Sequence, residues 1–231
     1  MSKKQFCSLS VIFIIGCLLM LSAVVFKKYR TKIEWNGELY NIENVNSVDA
    51  KFARPYNKSI DDAATGLVFL SFIVTSLPVL VVFFNSKDKK AAFKTAFYEA
   101  FVYILCLFYS NSIYRILKTF AGRIRPYMYF SNPSASGIAD HDFYRSWPSG
   151  HSSNVFLSFA FLLGWFMFWH SDSKFKKPLL TFELLICVTT MILRMLSGNH
   201  FLTDVLSGAV IGFGFSFATF KTCNSIYKKS L

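Results

Sequence analysis

Six long apolar stretches, 9–26, 66–84, 96–113, 155–169 extended back to 151, 178–196 and 201–220, dominate the chain and alternate with short polar segments. About 18–20 apolar residues carry a helix across the hydrocarbon core of a bilayer, so the pattern predicts an all-α, polytopic membrane protein built as a six-transmembrane-helix bundle. Glu99 and Glu183 interrupt two of the stretches, with Lys94 and Lys177 near the helix ends. End-of-helix ion pairs with these lysines are expected in preference to a proton relay. Other polar side chains gather in three places at the edges of the apolar stretches: Lys118 with Arg125-Pro126, then Pro148-Ser149-Gly150-His151, then Arg194 with His200 and Asp204.

With 53% hydrophobic residues, 18% aromatic residues and 27 phenylalanines, the 231-residue chain is too apolar for a soluble domain of its size. Its formal net charge of +12 would suggest nucleic acid as a partner in a soluble protein. Here the lysines flank apolar stretches in short segments, where anionic lipid head groups attract them. Zinc-finger spacing, an aromatic RNA-binding signature and a base-reading basic helix are all missing, so no nucleic acid is expected. Five cysteines, at 7, 17, 106, 187 and 223, are scattered and form no disulfide framework. Cys17 follows Gly16 in a context like a lipoprotein cleavage site, but the apolar stretch runs on for nine residues beyond it, as a spanning helix does.

Six spans put both termini on one side of the membrane, and the connections 27–62, 118–150 and 197–199 then share the other. All three polar gatherings therefore belong to one face. Counting basic residues hardly separates the two orientations. The terminal side carries lysines in short segments, among them Lys87, Lys89, Lys90, Lys174, Lys176, Lys177, Lys228 and Lys229. This assigns the termini to the cytoplasm and the polar gatherings to the outside, while Lys27, Lys28, Arg30 and Lys32 argue the other way. Segment 27–62 mixes Trp35, Tyr40, Phe52 and Tyr56 with charges of both signs, which suits an interfacial strap roofing the site and equally a solvated connection. Residues 1–231 read as one domain, with the strap at 27–62 and a site-bearing loop at 118–150.

Lys118 and Arg125 are two helical turns apart, with Gly122 between them and Pro126 ending any helix. On one anion, Arg offers a planar fork and Lys a compact charge; alone, the pair reads as basic anchors at a helix end, as Arg115 and Arg123 do. In Pro148-Ser149-Gly150-His151 the proline suits a first helical turn. Ser149, Gly150 and His151 would turn free N–H groups and the Ser149 hydroxyl toward an anion, and Gly150 permits close approach. His151 is placed to protonate a leaving oxygen, although by itself the tetrad reads as a helix cap. His200 and Asp204, at i and i+4, would share one face at the start of the sixth helix. Asp204 bonded to one imidazole nitrogen fixes the tautomer and leaves the other free to attack phosphorus. An isolated pair of this kind is more often a structural hydrogen bond; Arg194, at a membrane boundary beside it, needs an anion to justify burial. Asp140-His141-Asp142 holds metal-ligand residue types, but adjacent residues seldom aim at one ion, and a solvated loop is expected.

These residues resemble the type 2 phosphatidic acid phosphatase (PAP2) superfamily, whose pattern is K-x6-R-P, P-S-G-H and S-R-x5-H-x3-D, and the six-span layout is similar to its membrane branch. Leu193 stands where that family has a serine before the last arginine, which removes a supporting donor. The resemblance implies hydrolysis of a lipid phosphate monoester or diphosphate at the membrane surface, without metal or cofactor. His200 would form a phosphohistidine, Asp204 orient it, and His151 protonate the departing oxygen and then activate water. Lys118, Arg125, Arg194, Ser149 and Gly150 would hold the equatorial oxygens. The implied partners are a lipid phosphate substrate and membrane lipids, with no obligate protein partner. The implied location is a bacterial inner membrane with the site facing the periplasm. Phosphatidate, phosphatidylglycerol phosphate, undecaprenyl diphosphate and phosphorylated lipid A fit equally, and residues 127–147 would choose among them. A lipid phosphotransferase using the same phosphohistidine is one alternative; from another class, a non-catalytic anionic-lipid binder or transporter is a second. A neutral His200 beside a charged His151 makes the rate peak between two apparent pKa values.

Overall fold

Each predicted stretch forms one long helix in the computed structural model, which describes residues 3–228. The six are α1 (Lys3–Tyr29), α3 (Lys58–Asn85), α4 (Lys89–Ala121), α6 (Gly150–Phe168), α7 (Lys176–Leu196) and α8 (Leu202–Lys228); the short helices α2 (Ser47–Phe52) and α5 (Ala135–Ala139) lie in the connections. Lys229, counted among the terminal-side charges, lies outside the described residues, as does the side chain of Lys228. All six long helices are long and apolar enough to cross a membrane. Their ends follow local chemistry. Asn57 caps α3 and Asp88 caps α4 through side-chain oxygens that accept otherwise orphaned N–H groups, and Gly122 closes α4 in the left-handed region at φ 63°. At 33 residues α4 is about 50 Å long against a hydrocarbon core of about 30 Å, so its last turns lift Lys118 out of the apolar layer.

The axis of the bundle is α6, which packs against α3, α4, α7 and α8 and buries Val155, Leu157, Phe161, Leu162 and Phe166. Its closest approach is to α8, where a Cβ at Gly208 or Gly212 would sit 2.3 Å from the Ser149 carbonyl oxygen or 2.0 Å from that of Ser153. Only glycine admits that contact, and close backbone packing is a main source of adhesion between helices in lipid. On the outside, Phe69, Ile73 and Leu77 of α3 and Leu185, Val188 and Ile192 of α7 are exposed, as lipid-facing positions are.

Neither glutamate pairs with its expected lysine. Glu183 is fully buried and accepts the Ser71 hydroxyl from α3, while Glu99 lies 3.2 Å from His170 Nε2. Six and five residues carry the chain about 240° and 140° around a helix, so Lys177 and Lys94 project from other faces than the glutamates they precede. The strap packs down rather than standing in solvent. Trp35, Tyr40 and Tyr56 rest on Tyr127, Met128, Phe143 and Tyr144; the Tyr40 N–H donates to Met128 O at 3.2 Å and the Asn57 N–H to Ser197 O at 3.2 Å.

Candidate active site

The connections after α1, α4 and α7 close over one end of the bundle. Beneath them lies a cavity of about 380 Å³ lined by Lys118, Arg125, Gly150, His151, Arg194 and His200, together with Thr65, Tyr114 and Asn154. Six of the eight residues singled out from the sequence thus converge; Ser149 and Asp204 stand behind the wall.

The arginines do not face an empty space. Arg125 Nη1 donates to Asn199 Oδ1 at 2.7 Å, its Nε to Asp142 O at 2.9 Å, and its Nη2 to the Asp142 carboxylate. Arg194 Nη1 donates to the carboxylate of Asp61, in the first turn of α3. The anion that Arg194 requires for burial is therefore supplied by the protein. Burial pushes the Asp142 carboxyl up, but Arg125, Lys118 and Arg145 outweigh it and hold the group below its ordinary range. Asp142 is bound to Arg125, and His141 Nδ1 lies 3.3 Å from Ile33 O, so these two neighbours take separate partners.

His151, the second residue of α6, lies with Nε2 3.0 Å from Thr65 Oγ1. The same Thr65 oxygen lies 3.1 Å from Asp61 O, so one hydroxyl links His151 to the first turns of α3. His200 departs from expectation: α8 begins at Leu202, and His200 sits in the turn before it. The Asp204 carboxylate accepts from the Phe201 N–H at 2.8 Å, the Ser146 hydroxyl at 2.5 Å and Arg123 Nη1. These donors hold it 3.6 Å from His200 Nδ1, beyond hydrogen-bond length, and that nitrogen is buried without a partner. Burial first, then the charges of Lys118, Arg125 and Arg194, keep the His200 pKa well below 6.5, so the ring is neutral at neutral pH.

Ser149 corrects the expected phosphate contact. Its hydroxyl accepts from the Ser152 N–H and hydroxyl, and its own N–H donates to Asp204 O at 2.9 Å, so it caps α6 and ties it to α8. Gly150 does line the cavity, pressed against the Tyr114 ring where a Cβ would lie 3.0 Å away.

Arg123 is no surface anchor. It lies over the Phe201 ring at 4.4 Å, and it bridges Asp204 and Asp49, which is fully buried in α2. Asp49 also accepts from the Thr203 N–H at 3.0 Å and hydroxyl at 2.6 Å, which binds the strap to the first turn of α8. Burial raises the Asp49 pKa, but the bonds from Thr203 and Arg123 prevail and lower it. Sequence reasoning does not single out Asp49, Asp61 or Thr65, and it leaves Asp142 in a solvated loop. The one available signal is scarcity: with 25 basic and 13 acidic residues, each carboxylate near the three motifs is a wanted counter-ion.

The family model described as PAP2 superfamily matches residues 99–227, more than half of the chain. Among curated relatives, Probable lipid phosphate phosphatase beta of Arabidopsis thaliana is 30% identical over 48% of this chain and 59% of its own length. Lipid A 1-phosphatase of Rhizobium johnstonii is 28% identical over 62% of this chain and 57% of its own length, so the chain spans less than two thirds of either. A crystal structure of a transmembrane PAP2 type phosphatidylglycerolphosphate phosphatase from Bacillus subtilis superposes with a TM-score of 0.51 over 94% of this chain and 96% of that one, at 19% identity, which speaks for the fold. With the motif residues gathered at one end of a six-helix membrane bundle, the chain belongs to the PAP2 superfamily.

Proposed function

We propose that this protein hydrolyses a lipid phosphate monoester or diphosphate at the membrane surface through a phosphohistidine, without a metal. The observation that carries this is one cavity holding a neutral, buried His200, a His151 with Nε2 3.0 Å from Thr65 Oγ1, and three cations, Lys118, Arg125 and Arg194. The scissile phosphate enters among the cations and displaces Asp61 and Asp142 from the guanidiniums. His200 Nε2, the nitrogen turned away from Asp204, attacks phosphorus; the N–P bond forms as the P–O bond to the lipid breaks. The departing oxygen takes its proton from His151, which must be the imidazolium in the complex, beside the negative charge of the bound phosphate, and is left as the neutral ring. Water then enters, His151 removes its proton, the new P–O bond forms and the N–P bond breaks, releasing inorganic phosphate and restoring both rings. Asp204 acts across 3.6 Å as a fixed negative charge that stabilises the cationic ring of the intermediate. Arg125, Arg194 and Lys118 stabilise charge on the equatorial oxygens.

Both named curated relatives are phosphatases of lipids, which supports the substrate class. The orientation proposed is termini in the cytoplasm and cavity outside, in a bacterial inner membrane. The test is a panel of lipid phosphates in detergent, assayed for inorganic phosphate and, after rapid acid-free quenching, for a phosphohistidine on residue 200. Release unaffected by EDTA is expected, and chelator inhibition reversed by a divalent ion overturns the metal-free route. Release suppressed in proportion to an added acceptor lipid, with phosphate appearing on the acceptor, identifies a phosphotransferase.

A further inference from the structure

A second cavity of about 290 Å³ adjoins the first and shares Lys27 and Arg145 with it. Its wall adds Arg30, Lys32 and His141, against a single carboxylate, Asp140. Glu34, the acid nearest His141, stands 3.8 Å from Nε2 on a largely exposed side chain. Four permanent cations around one hollow repel each other unless an anion lies between them.

Arg30 shows the deficit most directly. Its guanidinium lies over the Tyr144 ring at 4.7 Å and against Gly122, where a Cβ would come within 2.8 Å of Nη2. Its Nη1 is buried with no hydrogen-bond partner. A guanidinium carries five donors, and buried donors are almost always bonded, so this one points to a missing acceptor. Arg145 joins the two cavities; its nearest carboxylate oxygen is Asp142 Oδ1 at 3.9 Å, on a group already bonded to Arg125. Burial lowers the Arg145 pKa, Asp142 opposes this, and the charges of Arg125 and Arg30 add to the lowering. Arg125, Arg145 and Arg30 therefore form a file of guanidiniums running from one cavity into the other, short of carboxylates along its length. A compact, multiply charged oxyanion with several acceptors suits such forks best.

We propose that the second cavity is a phosphate-binding subsite, so that the preferred substrate is a lipid bearing two phosphate groups, one for each cavity. This rests on the first cavity being the reaction site. The same chemistry could come from the head group of a neighbouring anionic lipid. Either source gives Lys27, Arg30 and Lys32 a ligand to hold, which removes their weight as evidence against an outward-facing cavity.

The experiment compares wild type with the Arg30→Gln/Lys32→Gln double variant on a polyprenyl diphosphate and the monophosphate of the same tail. The expected result is a kcat/KM that falls about tenfold more for the diphosphate than for the monophosphate, chiefly through KM. In a second arm the monophosphate is assayed in neutral detergent with and without phosphatidylglycerol; activation of wild type that the variant loses assigns the subsite to a neighbouring lipid. A third arm reads inorganic pyrophosphate as a rise in melting midpoint, expected in wild type and diminished in the variant. Equal falls on both substrates, no lipid activation and an unchanged pyrophosphate shift together overturn the proposal. If wild type releases phosphate from neither lipid, the reading of the first cavity fails, and the pyrophosphate arm still decides the second. Lys32→Gln alone, at an exposed side chain, serves if the double variant does not fold.

Discussion

The two sides of His200 use the same pair of functional groups for opposite ends. On the cavity side, Arg125 and Arg194 meet Asp142 and Asp61, whose side chains stay 38% and 23% exposed. On the far side, Arg123 meets Asp49 and Asp204, both fully buried and held by further donors from Thr203, Ser146 and Phe201. A carboxylate with a path to water can leave its arginine to an incoming phosphate. One sealed from water cannot leave without stranding a charge, which costs far more than any surface pair. An arginine–carboxylate contact is thus a replaceable ligand in front and a fixed frame behind, and solvent access decides which.

The largest effect is expected where the two sides meet. His200→Ala should lower phosphate release by about 10³-fold or more while lipid binding holds within a few-fold, measured by single-turnover assay and co-sedimentation; a fall under tenfold removes the nucleophile. Next comes the frame. Arg123→Leu leaves Asp49 and Asp204 uncompensated and should cost about 3–5 kcal/mol, read as a lower denaturation midpoint in detergent. A cost below about 1 kcal/mol, the range of exposed pairs, would erase the distinction between front and back. Asp61→Asn and Asp142→Asn have the opposite sign. Each frees an arginine, so inorganic phosphate should inhibit at about three- to tenfold lower concentration, and weaker inhibition would move these carboxylates into the frame.

The smallest effect is in pH. Because the folded pKa of His200 lies below 6.5, its neutral form persists as acid is added, and the acidic limb of kcat/KM should fall below pH 6.5. The unfolded chain takes up that proton first, so stability declines as pH drops below about 6.5. A limb at or above pH 6.5 would mean that the neighbouring cations and burial do not act on this ring.

What could be read from the sequence was what is local. Spans announce themselves through uninterrupted apolar residues, and Pro148 to His151 or Arg194 to Asp204 lie close enough for spacing to carry meaning. The counter-ions could not be read this way. Arg194 and Asp61 are 133 positions apart and Arg123 and Asp49 are 74 apart, so no periodicity links them before the bundle folds. Proximity in sequence misled where rotation mattered, as for Glu183 and Lys177. His200 and Asp204 were spaced for a helical face, yet the carboxylate was claimed by three donors, two of them from the connection 122–149.

The glycine seam between α6 and α8 has a mechanical consequence. His151 follows Ser149 by two residues and His200 precedes Asp204 by four, and the Ser149 N–H bonds to the Asp204 carbonyl at the head of that seam. The distance between His151, on α6, and the turn that carries His200 into α8 is therefore set largely by two helices in van der Waals register. The connections above can then vary in sequence while the calliper beneath keeps its setting.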